Sequence, residues 1–157
     1  MSRAALACLG IAATVAVSAP ALAGASTPTP APREVLQDFG CHRSSNSLNR
    51  WMVVTTVMRP ISGTQRMAMK FDLLRKGPHN RGFTEVSGAN TDLGKWIHPT
   101  NPPTLGSRPG DYWKVHKQVV NLASPAVYRF RVSFRWLDSN GKSLGTVVRL
   151  SNQCDQY

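Results

Sequence analysis

Residues 128 to 136 read YRFRVSFRW and hold the densest run of side chains able to do chemistry. Arg129, Arg131, Ser133 and Arg135 occupy the odd positions, and Tyr128, Phe130, Val132, Phe134 and Trp136 the even ones. Guanidinium groups suit phosphate, sulfate and carboxylate oxygens, and arginine interleaved with aromatics is how single-strand nucleic-acid binders build a stacking platform. The alternation speaks against the platform. Successive side chains of a strand point to opposite faces, so the aromatics face a core and the arginines face water. What remains is an arginine stripe able to hold anions without reading bases, or only the solvated side of a strand.

Other chemistry is sparse. His42, His79, His98 and His116 show no metal-ligand spacing. Cys41 and His42 are adjacent, hence on opposite faces of a strand, and a zinc site from Cys41, His42 and Cys154 is weakly supported. No metal and no cofactor are expected. Paired carboxylates, a glycine-rich phosphate loop and a nucleophile elbow are absent from the sequence, so the chain does not read as an enzyme, a small secreted hydrolase being the least favoured alternative. Asp72 lies between basic neighbours and most simply pairs with one of them. Trp96 and His98 precede a proline-rich loop and are candidates for contacting a partner, although a core role for Trp96 is the simpler reading.

The elements that would position these residues begin after a leader. Arg3 is followed by an uncharged run over residues 4–19 and by Ala21-Leu22-Ala23, the pattern of a secretory signal peptide over residues 1–23. The run is short for a bilayer span, so no stable membrane span is expected after cleavage. Residues 24–33, GASTPTPAPR, read as a disordered or polyproline-like spacer. Residues 34–157 then suit one domain with one core. Two cysteines remain after the leader, Cys41 and Cys154, and in an exported chain an even count favours a disulfide, here closing a span of 113 residues. The formal charge, +11 for the full chain and +10 without Arg3 of the leader, draws such a domain toward anionic surfaces or polymers, or reflects solubility and composition alone. The basic residues are spread along the chain rather than gathered in a block.

Period-two segments and turn residues dominate the domain. Val35, Phe39 and Cys41 share one parity in a first strand. Residues 50–59 are apolar on both faces. Residues 65–75 alternate, with Met67, Met69, Phe71 and Leu73 on one side, although their composition also permits a helix. Residues 83–87 and 95–98 read as short strands, 99–110 as a long irregular loop, and 111–121 as a strand with Trp113, Val115 and Val119 on one parity. The stretch around 128–136 and residues 142–151 complete an all-β, antiparallel sandwich of about seven or eight strands. Its expected core draws on Trp51, Val53, Val57, Met67, Met69, Phe71, Leu73, Trp113, Val115, Phe130, Val132, Phe134, Trp136, Leu144, Val148 and Leu150.

The last hairpin fixes a fourth arginine. A three-residue loop, Ser139-Asn140-Gly141, keeps the even-numbered apolar residues of both strands on one face, with Gly141 left-handed and Asp138 opposite Lys142. Carried along the strands, that register sets Val132 opposite Val148, Phe130 opposite Leu150, and Arg131 opposite Arg149 on the outer face. A bulge near the turn would shift it.

Residues 122–134, LASPAVYRFRVSF, are similar to the tyrosine corner of fibronectin type III and other immunoglobulin-like sandwiches. There a tyrosine opens the penultimate strand and its hydroxyl bonds back to the preceding connection. The resemblance gives Tyr128 that role, Leu122 the place of its buried partner, and Trp51 the tryptophan common in the second strand. It departs from the pattern in setting Pro125 three residues before the tyrosine, and in lacking the inter-sheet cysteine pair of antibody domains; Cys41 and Cys154 look like a staple between first and last strands. The resemblance implies a fold and no function. The expectation is thus a secreted or cell-surface module that binds an anionic polymer or surface through Arg129, Arg131, Arg135 and Arg149, or an extracellular protein through the 76–110 loops, with no sequence-specific nucleic-acid reading.

Overall fold

The computed structural model describes residues 31–86 and 92–157. The expected leader, most of the spacer, and Ser87 of the fourth expected strand lie outside the described residues. Nine strands form: β1 (Glu34–His42), β2 (Trp51–Met58), β3 (Arg66–Lys76), β4 (Thr84–Glu85), β5 (Trp96–Ile97), β6 (Trp113–Val120), β7 (Ala126–Leu137), β8 (Ser143–Leu150) and β9 (Cys154–Gln156). No periodic pattern in the sequence predicts the short β9. Among the described residues the only helical element is a single 3-10 turn, and no helix is long and apolar enough to cross a membrane.

All strand pairs are antiparallel. A three-stranded sheet runs β1-β2-β6, and a six-stranded sheet runs β4-β3-β7-β8, with β5 also on β3 and β9 on β7. The chain is an all-β sandwich with its core between the two sheets. Alternation builds that core: Met67, Met69, Phe71 and Leu73 of β3 face Phe130, Val132, Phe134 and Trp136 of β7, all at most 3% exposed. Of the expected 65–75 segment, Arg66 onward is therefore strand, because only a period of two buries these four together. The indole of Trp136 donates to the Arg59 carbonyl at 2.7 Å, which removes the cost of its buried N–H.

One expected face is reversed and another is split. On β2 the even residues Met52, Val54, Thr56 and Met58 turn inward, and Trp51, Val53 and Val57 line the other side of the sheet. Trp51 thus departs from its expected place in the core; it stacks on His42, with ring centroids 5.6 Å apart. On β1, Asp38 takes a φ of 50° and the register slips between Gln37 and Gly40. Cys41 consequently faces inward while Val35, of the same number parity, does not. Gly40 is required by this packing, since a Cβ there would lie 2.8 Å from Val53 Cγ1.

The Cys41–Cys154 disulfide is present and ties β1 of one sheet to β9 of the other. Gln156, fully buried beside it, donates from Nε2 to the His42 carbonyl at 3.0 Å. Tyr128 is buried, and its hydroxyl donates to the Ala123 carbonyl at 3.0 Å, with Leu122 buried alongside. That is the hydrogen bond expected of a corner tyrosine.

Candidate functional site

The last hairpin turns as its sequence predicts. Gly141 has a φ of 79°, the Asp138 N–H donates to the Lys142 carbonyl, and Asp138 Oδ1 accepts from the Asn140 and Lys142 amides at 2.9 Å. Beyond the turn the register slips. Leu137 pairs with Ser143, but Trp136 pairs with Gly145, so one extra residue of β8 is accommodated there. Every later side chain of β8 is thereby turned over. Val147 packs on the core, whereas Leu144, Val148 and Leu150 lie outside, 41%, 51% and 48% exposed. Their expected place in the core is corrected accordingly. Arg131 faces Leu150, Arg149 faces Val132, and the Arg149 guanidinium leaves the stripe to bond Glu34 Oε1 of β1 at 2.6 Å.

The remaining arginines stay together on the outer face of the six-stranded sheet, each held differently. Arg131 donates from Nε to Asp72 Oδ2 at 2.9 Å and from Nη2 to Glu85 Oε2 at 2.7 Å. Lys70 Nζ lies 3.4 Å from the same Asp72 oxygen. Hydrogen bonding to Asp72, with Glu85 adding to it, raises the Arg131 pKa above the ordinary arginine value. Arg129 lies over the Phe83 ring at 4.0 Å and Arg135 over Trp96 at 3.9 Å. Neither forms an ion pair with any of the eight carboxylates, all of which lie among the described residues. The Nε atoms of both are buried without a hydrogen-bond partner. A guanidinium laid flat on a ring keeps its edge donors available for an oxyanion.

This face gathers Arg66, Lys70 and Lys76 from β3 with Arg129, Arg131 and Arg135 from β7, against Asp72 and Glu85. Phe83, Glu85 and Trp96, the side chains that organise the three arginines, come from the excursion between β3 and β6. Nothing in their spacing marks Phe83 or Glu85; the length of that excursion is the one available signal. Trp96 is half-buried beneath Arg135, and His98 Nδ1 lies 3.1 Å from the Met67 carbonyl, so both side chains are engaged with the sheet.

At one end of the sandwich, a cleft of about 380 Å³ is lined by the turn at 60–65, by the 106–109 loop and by Arg33. The loop is held by Asp111, whose carboxylate accepts from the amides of Gly106 at 2.7 Å and Arg108 at 3.1 Å; these bonds lower its pKa. Among the described residues no group of histidine, cysteine and carboxylate side chains has the arrangement of a metal site. Comparison with models of protein families, with curated proteins and with solved structures gives no match.

Proposed function

We propose that this chain is an exported, non-catalytic module that holds an anionic polymer or surface against the outer face of its six-stranded sheet. The observation that carries the reading is the pair Arg129 and Arg135, fixed on aromatic rings and free of carboxylates on a face where basic residues outnumber acidic ones. Fixed guanidiniums lose less side-chain entropy on binding than mobile lysines and engage phosphate, sulfate or carboxylate oxygens in a fork geometry. The leader-like start and a disulfide of the kind that persists in oxidising compartments support an extracytoplasmic location. Arg131 acts differently from this pair, neutralising Asp72 and organising the face. Arg149 contributes from outside the site, to the packing of the sandwich.

The test is retention on a heparin or phosphate matrix. Replacing Arg129 and Arg135 together by Ser should lower the eluting salt concentration clearly more than replacing Lys114 and Lys142, two exposed lysines off this face. Equal losses from the two pairs would reduce the effect to net charge and sink the proposal.

A further inference from the structure

The sandwich has four sheet edges, and their protection is unequal. A strand edge presents unpaired N–H and C=O groups to any strand that can reach them, and proteins blunt it with bulges, charges or short strands. In the three-stranded sheet, β1 is interrupted by its slip at Asp38, and β6 carries Lys114 and His116 outward and an inward-facing Lys117. In the six-stranded sheet, β4 and β5 have two residues each. The opposite edge is β8, eight residues long, without proline, lysine or acidic residue. Its one charge, Arg149, is already taken by Glu34. Its slip lies at the start of the strand, and the pairing with β7 is regular from Gly145 to Leu150.

The free groups of this edge can be assigned. The Ser151 N–H bonds to the Phe130 carbonyl, so by antiparallel alternation Val147 and Arg149 also bond to β7. Thr146, Val148 and Leu150 must then direct their N–H and C=O groups away from it. The same residues present their side chains on the outer face, where Val148 and Leu150 are about half-exposed, and Leu144, at the slip, lies beside Gly63.

We propose that β8 pairs antiparallel with β8 of a second copy of this chain. A two-fold axis through Val147 matches outward-directed groups with outward-directed groups. It sets Leu144 of one copy opposite Leu150 of the other, and Thr146 opposite Val148. It also sets Arg149 opposite Gly145, which separates the two like charges and leaves each arginine on its own Glu34. A register centred on Thr146 overlaps as many residues with the same parity, but it leaves Leu150 without a partner inside the strand. The dimer joins two six-stranded sheets into one and brings both basic faces to the same side of it. The proposal stands independently of the anion reading.

The experiment is sedimentation of the purified protein from about 1 µM to about 1 mM, with hydrogen exchange over the same range. The mass should double with concentration. The amides of Thr146, Val148 and Leu150 should gain at least about tenfold protection as it does, while those of Val147 and Arg149 are protected throughout. Each copy is strongly basic, so raising salt from about 0.05 to about 0.5 M should tighten the dimer, the opposite sign to anion binding. Val148→Lys, at a half-exposed position that leaves the fold intact, should weaken the dimer at least about tenfold. Leu48→Lys, exposed elsewhere, should not. A single-chain mass up to about 1 mM, whatever other protein β8 captures, would overturn the proposal. So would a dimer whose Thr146, Val148 and Leu150 amides exchange as fast as in the monomer.

Discussion

Asp72 is fully buried, its Oδ2 carries two cationic partners, and its Oδ1 has none. A carboxylate in that position depends on its guanidinium. Removing one partner of a buried ion pair costs about 3–5 kcal/mol, because the other charge is left without compensation. Arg131 is 35% exposed at its side chain and Lys70 remains, so Arg131→Met should cost less, about 2–3 kcal/mol in urea unfolding. Pairing it with Asp72→Leu should recover most of that loss, giving a coupling above about 1 kcal/mol. Simple additivity of the two changes would mean that the pair does not act as a unit. The same reasoning separates Arg131 from its neighbours. It is bound inside the fold, whereas Arg129 and Arg135 rest on aromatic rings and keep donors for something else.

One residue inserted into β8 decides which half of that strand's side chains the core receives. The turn itself follows from local chemistry: a glycine in the left-handed region and an aspartate accepting from the turn amides. The slip after Ser143 follows from what β8 meets once it leaves the turn. Gly145 lies between Trp136 and Ile61, Val147 reaches the core, and Arg149 reaches Glu34 on the opposite sheet. Those contacts are available only to the odd-numbered residues. The parity is directly testable at concentrations where the chain is monomeric. Val147→Lys should destabilise by about 2 kcal/mol by placing a charge against the core, while Val148→Lys should stay within about 0.5 kcal/mol. Equal effects in thermal unfolding would contradict the register.

At the scale of the molecule, two sheets are joined by one covalent bond between β1 and β9, with a separation of 113 residues. In the chain-entropy model a loop of this length stabilises by about 4–5 kcal/mol, mainly by restricting the unfolded chain. Replacing both cysteines by Ser should therefore lower stability by several kcal/mol, a large fraction of what a domain of this size possesses. The loss should be read from denaturant midpoints, and a shift under about 1 kcal/mol would assign the stability to packing alone.

The alternating segments, the turn residues and the cysteine count by themselves determined the all-β class, the core faces of β3, β6 and β7, the turn of the last hairpin and the pairing of two cysteines. Each of these depends on a short-range period, a turn conformation or a count, and such rules act within a few residues. The tertiary structure alone decided the parity of β2, β1 and β8, because Trp51, Val53 and Leu150 are as apolar as the residues that displaced them from the core. It alone decided the fate of the arginine stripe. Glu85 and Asp72 are 46 and 59 residues from Arg131, and Glu34 is 115 from Arg149. No local pattern records partners at such distances; Asp72 and Glu85 meet Arg131 because β3, β7 and the excursion between β3 and β6 fold onto one face, and Glu34 meets Arg149 because β1 and β8 come together from opposite sheets.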